Sequence, residues 1–531
     1  MSLPAGITPL QLPKNIIENG HHNFKHALKA NASFNLRLPL PFDQQVANYT
    51  ATTKNFQWLI QHAIDNKFSL RALGNNWSFS EVAMADGVID TKELRCTFQP
   101  GPTHVVPAYT ATGKTHRDTF FVQCGVSILD LNEKLEKENR GDRCIKASGA
   151  SNGQTIAGAT STGTHGSAYQ VGAVHDAIIG LHIITGPNEH VYIERKSYPV
   201  VTQSFINFLG ARFIADDDMF NAAVVSFGCF GFVHGVLIET SPKFLLDKRT
   251  TKGIPYDKAL RLAVNEWDFS GIEPSFPLPV QGPDHHMYHF EVLVNPFQFA
   301  PDDPAKGVFL KVIYKKPFVD GYPKPLPNPK YQYGDELLGV ISTVLDHLPD
   351  GAKEKLVPAL VTKLLPMAFN PNESVQGTIG EIFTNTKFRG KAASAAIGVP
   401  TQFASAVVEA FVDMNRQFPF AGAVALRFVK GTKALLGFTH FEKTCVLEMD
   451  GVDSKTSREF FTKMWDKLDE LQIPFTMHWG KINFGLNATR VEKMYGAANI
   501  ATWKACRHQL LSADCRKVFT NAFMQQCGLN G

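Results

Sequence analysis

A stretch nearly free of charged and bulky aliphatic residues, 148–168, is the part of the chain best suited to hold an anion. It reads SGASNGQTIAGATSTGTHGSA. Its glycines allow the backbone to approach another group closely, and the interleaved Ser and Thr supply hydroxyls at short intervals. Successive backbone N–H groups in such a loop form a concave anion site. A flexible Gly/Ser linker is the alternative, but Ile156, Ala157 and His165 interrupt the pattern in a way that linkers do not.

A buried ion pair is the second chemical feature that the sequence predicts. Glu448 lies in the apolar strand-like run CVLEMD, where an ionised carboxylate is costly unless a cation accompanies it. Arg427, in the strand-like run VALRFV that precedes it, is a suitable cation. From the sequence alone, the pair is either part of a reactive site or a purely structural ion pair.

The composition and charge indicate a globular protein. The chain has 531 residues, of which 44% are hydrophobic and 19% charged, enough for two or three domains. The net charge of +4 is small for this length, so no nucleic-acid partner is expected. No apolar run is long enough to span a bilayer, and no signal peptide is recognisable. The eight cysteines form no CxxC pairs, which favours reduced thiols, a cytoplasmic location and no metal site.

Helix and strand patterns lie on either side of the glycine-rich stretch. Apolar residues from Phe56 to Ile64 fall on one face of a predicted helix, and Ser127 is typical of a helix N-cap. Residues 177–184 and 190–194 predict two strands joined by a turn. Because no G-x-G-x-x-G motif follows the first strand, a Rossmann domain is disfavoured. Further strands are predicted at 287–294, 423–429 and 444–449, and further helices at 403–415 and 457–471.

Three separated motifs resemble one family of flavoproteins. RALGNNWSFSEVA (71–83), QTIAGATSTGTHGSA (154–168) and HWGK (478–481) occur in this order. They resemble the FAD-dependent oxidoreductases of the vanillyl-alcohol oxidase (PCMH-type) fold. The resemblance is nearest to the sugar-1,4-lactone and alditol oxidases, with some likeness to flavin cholesterol oxidases. It covers the first domain and the C-terminal tail well, and residues 245–420 poorly.

The resemblance implies an α+β protein with a split PCMH-type FAD-binding domain and an inserted substrate (cap) domain built on an antiparallel sheet with helices. The expected units are an irregular N-terminal arm (1–44), the FAD-binding domain (45–243), the substrate domain (244–475) and a C-terminal segment that returns to the FAD domain (476–531). A Pro-rich loop at 321–333 and an apolar run at 355–369 make the chain longer than alditol oxidases. The apolar run suggests a cap for a bulky substrate, or else ordinary helix core.

The resemblance also implies which residues bind the cofactor. In such flavoproteins a first turn, here 74–78, and the glycine-rich loop hold the FAD diphosphate with backbone N–H groups. The implied contacts are Arg71, Gly74, Asn75, Asn76, Trp77, Ser78, Ser148, Gly149, Gly153, Thr155, Gly158, Ala159, Ser161, Thr162, Gly163, Thr164, His165, Gly166, Gly231, Val236, His478, Trp479, Lys481 and Asn521. Many relatives attach FAD covalently through a His in the first turn. Because Asn75 and Asn76 stand there, we expect FAD without a covalent link.

The catalytic residues implied by the resemblance are Lys481, Arg427 and Glu448. Oxidation of a carbinol moves a hydride to flavin N5 and the hydroxyl proton to a base, while negative charge develops on the flavin ring. Lys481 is expected near the ring or the substrate oxygen, with a solvated surface lysine as the alternative. Relatives carry a Glu-x-Arg pair facing the flavin. Here Arg427 is present but Ala425 replaces the Glu, so Glu448 is expected to supply the carboxylate.

We therefore expect an FAD-dependent oxidase that acts on a hydroxyl-bearing small molecule (an alcohol, sugar or lactone, small or bulky) and passes electrons to O2. Gly149 and Ala150, small residues before the flavin loop, favour a route for O2. Two alternatives stay open. A flavin-binding protein of secondary metabolism without alcohol oxidase activity is favoured by Ala425, and a lactone dehydrogenase would use another electron acceptor. The sequence makes no prediction of the oligomeric state.

Overall fold

Three β-sheets of four, six and eight strands, with helices around them, form most of the described part of the chain. The computed structural model describes residues 3–138, 141–272, 285–301, 303, 306–325, 353–368, 374–384 and 392–531. The strands are β1 Ile7–Pro9, β2 Ile16–Glu18, β3 Lys25–Ala27, β4 Phe34–Leu36, β5 Leu70–Leu73, β6 Gly87–Asp90, β7 Thr97–Phe98, β8 Thr119–Gln123, β9 Arg143–Cys144, β10 Ile178–Gly186, β11 Glu189–Glu194, β12 Arg212–Ala215, β13 Phe232–Glu239, β14 Ser241–Pro242, β15 Phe244–Ile254, β16 His286–Val294, β17 Val308–Pro317, β18 Ser374–Gly377, β19 Ala392–Pro400, β20 Gly422–Lys430, β21 Lys443–Val452 and β22 Thr476–Met477.

The helices lie between and after these strands, and the two longest in the described residues are Ala488–Leu510, which follows the last strand, and Gln45–Asp65. The helices are α1 Gln45–Asp65, α2 Pro107–Thr110, α3 Ile128–Lys137, α4 Ile156–Ser161, α5 Gln203–Leu209, α6 Asp217–Ala223, α7 Lys258–Glu266, α8 Lys353–Ala368, α9 Ile379–Ile382, α10 Ala404–Gln417, α11 Lys455–Glu470, α12 Ala488–Leu510, α13 Ala513–Val518 and α14 Ala522–Gln526. Within the described residues, no helix is both long and apolar enough to cross a membrane. The predicted α+β class is confirmed.

The six-stranded sheet, in the order β12-β11-β10-β13-β8-β7, supports the glycine-rich loop. The predicted hairpin is present as β10 and β11, which pair antiparallel, and β10 also pairs antiparallel with β13. All nine residues of β10 are buried, because α1 packs against it. The predicted N-cap at Ser127 is also present, since its side chain accepts a hydrogen bond from the amide of Asp130 at the start of α3.

The eight-stranded sheet, β18-β15-β17-β16-β20-β21-β19-β22, brings four polar strand positions side by side. In its register Glu291 on β16 lies opposite Arg427 on β20 and opposite Lys311 on β17. On the next pair of strands, Glu448 of β21 lies opposite Ala425 of β20. Directly opposed residues have Cβ atoms about 4.5–5.5 Å apart, so these side chains can form one network.

The first 44 residues differ from the irregular arm that the sequence predicts. β1 pairs antiparallel with β4, and β4 pairs parallel with β6 in the four-stranded sheet. Each of these N-terminal strands has three residues, which is too short for a periodic pattern to appear in the sequence. Their pairing with a strand some 50 residues away, rather than local propensity, fixes them.

The apolar run at 355–369 is largely the helix α8, which packs against β20. Its side chains Val361 and Leu365 are fully buried, which favours ordinary helix core over a cap. Most of the predicted Pro-rich loop, beyond residue 325, and residue 369 lie outside the described residues. The division of the chain at 243/244 and 475/476 stays a prediction. β15 begins at Phe244, and the chain passes from β22 into segments that contact the first half: α12 packs against α6, and α13 against α1.

Candidate cofactor and active site

A large cleft, called here the main cleft, lies where the first turn, the glycine-rich loop and the eight-stranded sheet meet. It encloses about 1590 Å³ of space, counting the part that is open to solvent. Residues of the turn at 74–78 and of the loop at 149–165 line one side. Arg427, Glu448 and Lys481 lie on the wall formed by the sheet and the C-terminal segment. The three sequence motifs therefore meet at one place.

The backbone N–H groups of the first turn are available to a ligand. Gly74, Asn75, Asn76 and Ser78 line the cleft, and none of their amides donates a hydrogen bond to another residue in the described part of the chain. Asn76 has a φ of 56°, so the turn passes through the left-handed region, where Asn is tolerated better than most residues. Such a run of free donors suits a dense anion such as a diphosphate.

The glycine-rich loop is held tightly against this turn. A Cβ atom on Gly74 would lie 2.1 Å from Oγ1 of Thr155, so the approach requires glycine. Thr155 caps α4, its side chain accepting a hydrogen bond from the amide of Gly158. The Asn75 side-chain amide also donates to the carbonyl oxygen of Gly153. These contacts fix the spacing between the two loops.

A buried ion pair lines the same cleft, as predicted. Nη1 of Arg427 lies 2.7 Å from Oε2 of Glu448, and the two side chains are 5% and 4% exposed. The position where relatives carry a Glu is Ala425, which lies directly opposite Glu448 in the β20–β21 register. Because opposed residues are neighbours on one sheet face, Glu448 brings a carboxylate to the place that Ala425 leaves without one.

Lys481 belongs to the same cluster and is not a solvated surface lysine. Its Nζ donates a hydrogen bond of 2.5 Å to Oγ of Ser394 and lies 3.9 Å from Oε1 of Glu448. It also lies 5.5 Å from the centre of the Phe79 ring. Ser394 in turn donates to the carboxylate of Asp450, another residue that lines the cleft. The ammonium therefore has a fixed position with 21% of the side chain exposed, facing the cleft.

Comparisons with known proteins show which proteins this chain is similar to. No family model matches the chain. The L-gulono-1,4-lactone dehydrogenase of Mycobacterium tuberculosis is 21% identical over 428 residues, which cover 80% of this chain and 83% of that protein. The D-arabinono-1,4-lactone oxidase of Debaryomyces hansenii is 26% identical over 232 residues, 42% of this chain and 36% of that one. The crystal structure of cholesterol oxidase from B. sterolicum matches with a TM-score of 0.65 at 15% identity, covering 99% of both chains.

The chain has the fold of these FAD-binding (PCMH-type) flavoenzymes and is similar to them in sequence. Both branches that the motifs resemble, the sugar-lactone oxidoreductases and the cholesterol oxidases, are among the matches, so the recognition is confirmed. The predicted fold and the predicted FAD cofactor are likewise confirmed. The residues of this flavoprotein fit FAD. The free amides of Gly74, Asn75, Asn76 and Ser78 suit its diphosphate, and the fixed cation Lys481 suits a ring that gains negative charge.

The structure of the flavoprotein brings most of the implied site residues to the cleft wall. Those that line it are Gly74, Asn75, Asn76, Trp77, Ser78, Gly149, Thr155, Gly158, Ala159, Ser161, Thr162, Thr164, His165, Gly231, His478, Arg427, Glu448 and Lys481. Those that do not are Arg71, Ser148, Gly153, Gly163, Gly166, Val236, Trp479 and Asn521.

The residues away from the wall support it from behind. The guanidinium of Arg71 is buried and donates to the carbonyl of Phe519 at 2.9 Å. The Trp479 indole donates to the carbonyl of Leu436 at 2.8 Å, so its ring faces the core. Asn521 holds the C-terminal helix to residues 82–84 beside the cleft. Gly166 is required for steric reasons, since a Cβ on it would lie 2.1 Å from the carbonyl oxygen of Ser148. Contact of these eight residues with FAD stays a prediction.

Burial sets the charge of the titratable groups in the flavoprotein's cleft. Burial lowers the pKa of His165 to about 4, and burial likewise puts the pKa of His478 well below its ordinary value, so both imidazoles are neutral at pH 7. Burial opposes ionisation of Glu448, but the charges of Arg427 and Lys481 outweigh it and lower its pKa. The cluster at neutral pH is therefore an ionised carboxylate between two cations, beside neutral imidazoles.

Some cleft residues were not predicted from the sequence. His21 lines the cleft with its ring stacked on Phe79, 4.0 Å between centroids. The neighbouring Asn19 holds this segment to the first turn by donating to the carbonyl of Ser78 at 2.9 Å. No local pattern marks such a long-range contact. The position of Asp450 could have been predicted from the sequence, because it follows Glu448 by two residues and therefore lies on the same face of the strand.

Proposed function

We propose that this flavoprotein is an FAD-dependent oxidoreductase that oxidises the CH–OH group of a small-molecule substrate, with O2 as the electron acceptor. The observation that carries the proposal is the cluster of Arg427, Glu448 and Lys481, which lines the same cleft as the first turn with its free amides. When bound, FAD supplies the hydride acceptor for such a reaction. The protein's own residues must then hold the substrate hydroxyl and receive its proton.

Lys481 is suited to hold the hydroxyl oxygen. Its ammonium is anchored at Ser394 and still has N–H donors free to face the cleft, because a lysine carries three. A fixed donor at this oxygen orients the hydroxyl and stabilises the partial negative charge of the carbonyl oxygen that forms. The Phe79 ring and the carboxylate of Glu448 restrict where the ammonium can move.

Glu448 is suited to receive the hydroxyl proton. Its carboxylate is ionised because Arg427 and Lys481 lower its pKa against the effect of burial. A carboxylate with a lowered pKa is a weak base for a free alcohol. However, the O–H proton becomes strongly acidic as the adjacent C–H bond breaks, so the transfer is favourable late in the reaction. Arg427 holds the carboxylate in place throughout.

The polar wall favours a polar substrate. Arg427, Glu448, Lys481 and Asp450 all line the cleft, and polar groups of this kind are satisfied by a ligand that carries several hydroxyl or carbonyl oxygens. The matched relatives are named as lactone oxidoreductases, which agrees with a sugar or lactone. The cholesterol oxidase match, at 15% identity, supports the fold and leaves the bulky sterol class as the less favoured substrate.

The proposal is tested by anaerobic reduction of the bound flavin, followed as bleaching of its visible absorption. Sugar lactones, alditols and a sterol are offered in turn to the FAD-loaded protein. We expect at least one polyol or lactone to bleach the flavin, and admission of O2 to restore the colour with release of hydrogen peroxide. Glu448→Gln should slow the bleaching, whereas Glu409→Gln, a half-buried carboxylate paired with Arg261 away from the cleft, should not. Bleaching by none of the substrates would contradict the proposal.

A lactone dehydrogenase that passes electrons to a carrier is the second candidate. It is favoured by the Mycobacterium tuberculosis relative, which covers 80% of this chain and is named a dehydrogenase. In the same experiment it would give bleaching by a lactone, fast re-oxidation by an artificial dye and little peroxide with O2.

We also propose a cytoplasmic location and a non-covalent cofactor. All eight cysteines are free thiols and buried, which agrees with a reducing compartment. For the cofactor, Asn75 and Asn76 stand in the turn that carries the linking His in many relatives.

A further inference from the structure

Two charged side chains with no assigned role lie directly behind the Arg427–Glu448 pair. Nζ of Lys311 on β17 lies 2.7 Å from Oε2 of Glu291 on β16. Oε1 of the same Glu291 lies 3.3 Å from Nε of Arg427. The Lys311 and Glu291 side chains are 0% and 1% exposed, and neither lines the main cleft. The four groups therefore form one buried row, Lys311–Glu291–Arg427–Glu448, that ends at the cleft wall.

The row is balanced in charge. Two cations and two carboxylates alternate along it, and burial holds the pKa of His289, 3.1 Å from Glu291, at about 4, so this imidazole adds no charge at pH 7. Buried charges are stable only when paired, and removing one partner leaves an uncompensated charge in the interior. Each member of the row is thus required for the ionisation of the others.

The distances show how Arg427 is shared between two carboxylates. Its contact with Glu448 is 2.7 Å and its contact with Glu291 is 3.3 Å, while the 2.7 Å partner of Glu291 is Lys311. Because Lys311 satisfies Glu291 closely, Arg427 remains directed towards Glu448. Without Lys311, Glu291 would compete for the same guanidinium.

We propose that Lys311 and Glu291 form a charge brace behind the cleft wall that keeps Arg427 on Glu448, which makes Lys311 a positioning residue for proton transfer at Glu448. The effect of Lys311 on turnover rests on the proposed function, whereas the effect of Lys311 on the charge of the row does not. The other titratable groups that face the row are His165, 3.6 Å from Glu448, and Lys481, together with Asp450 two residues along the same strand.

The test compares three variants of the FAD-loaded protein. Lys311→Met removes the charge and keeps an unbranched side chain of similar length. Glu291→Gln/Lys311→Met removes both members of the brace and restores the balance of the remaining pair. Lys316→Met is the matched control, because Lys316 lies on the same strand but pairs with Asp247 instead, at 3.6 Å. Two properties are measured between pH 5 and 9: the rate of flavin reduction by substrate, and the melting temperature.

Lys311→Met should raise the apparent pKa of the acidic limb of the rate profile by about one unit or more, because Glu291 then competes with Glu448 for Arg427, and the other cation near Glu448, Lys481, lies 3.9 Å away. It should also lower the melting temperature more at pH 8 than at pH 5. With one carboxyl pKa raised in the folded state, stability is retained at low pH and lost as the pH rises through that pKa. The double variant should return the apparent pKa of the acidic limb to within about 0.3 units of wild type. Lys316→Met should change neither the pH profile of flavin reduction nor the pH dependence of the melting temperature.

The proposal is wrong if Lys311→Met lowers the melting temperature equally at every pH and leaves the apparent pKa of the acidic limb unchanged. That result would indicate a packing role alone. The proposal is also wrong if the double variant is no closer to wild type than the single one. Should no substrate reduce the flavin, the proposed function fails, but the pH dependence of melting still decides whether the brace exists.

Discussion

Gly74→Ala tests whether the close approach of the first turn to the glycine-rich loop is needed to bind FAD. The added Cβ would lie 2.1 Å from Oγ1, 2.9 Å from Cγ2 and 3.0 Å from Cβ of Thr155. All three contacts fall on one side chain, and the first is more than 1 Å shorter than an ordinary contact of about 3.5 Å. The turn and the loop must therefore move apart by roughly 1 Å.

The size of the effect follows from the cost of overpacking, about 1–3 kcal/mol. If the apoprotein relieves this strain by separating the two loops, FAD must restore the contact in order to bind both. Since 1.4 kcal/mol corresponds to a factor of ten, FAD should bind about 5- to 150-fold more weakly. Thr155→Ala removes Oγ1 and Cγ2, so the double variant should bind FAD more tightly than the sum of the single effects predicts.

The assay is titration of apoprotein with FAD, followed by quenching of flavin fluorescence. Gly101→Ala is the control, because its Cβ would meet no atom closer than 4.0 Å, and it should bind FAD as wild type does. Unchanged FAD affinity in Gly74→Ala would refute the idea that the close contact between the first turn and the glycine-rich loop is needed to bind FAD. Strictly additive effects of Gly74→Ala and Thr155→Ala would refute the assignment of the strain to their contact.

Three further predictions concern charge and attachment. Acid precipitation should leave the yellow flavin in the supernatant, and colour in the pellet would show a covalent link. Arg427→Met leaves two buried carboxylates with one cation fewer and should lower the free energy of unfolding by about 3–5 kcal/mol in denaturant titrations at pH 8, and by less at pH 5. Burial raises the pKa of Glu136 to about 7, so its contribution to stability falls as the pH rises from 4.5 through 7. Glu136→Gln should therefore be more stable than wild type at pH 8, by up to about 3 kcal/mol, with no gain at pH 4.5.

Features encoded by neighbouring residues were predictable from the sequence. Ser127 caps its helix through a residue three positions on, and the β10–β11 pair is joined by a turn of local residues. Glu448 and Arg427 were predictable as a pair by a different argument: an ionised group in an apolar strand requires a partner. The same argument applies to Lys311 in the run VFLKVIY, where it would have indicated a second buried pair.

Features that depend on distant parts of the chain were not predictable. The short strand β4 pairs with the distant β6 and β1 pairs with β4, and His21 reaches the cleft because Asn19 bonds to the first turn. The split of the polar network over β16, β17, β20 and β21 depends on strand order and register, which a single sequence does not specify.

The main cleft takes residues that lie 460 positions apart, such as His21 and Lys481. During synthesis, Lys481 leaves the ribosome long after His21 and the glycine-rich loop, so the complete cleft cannot form before then. The earlier segments must therefore remain competent to fold while the dinucleotide is still absent.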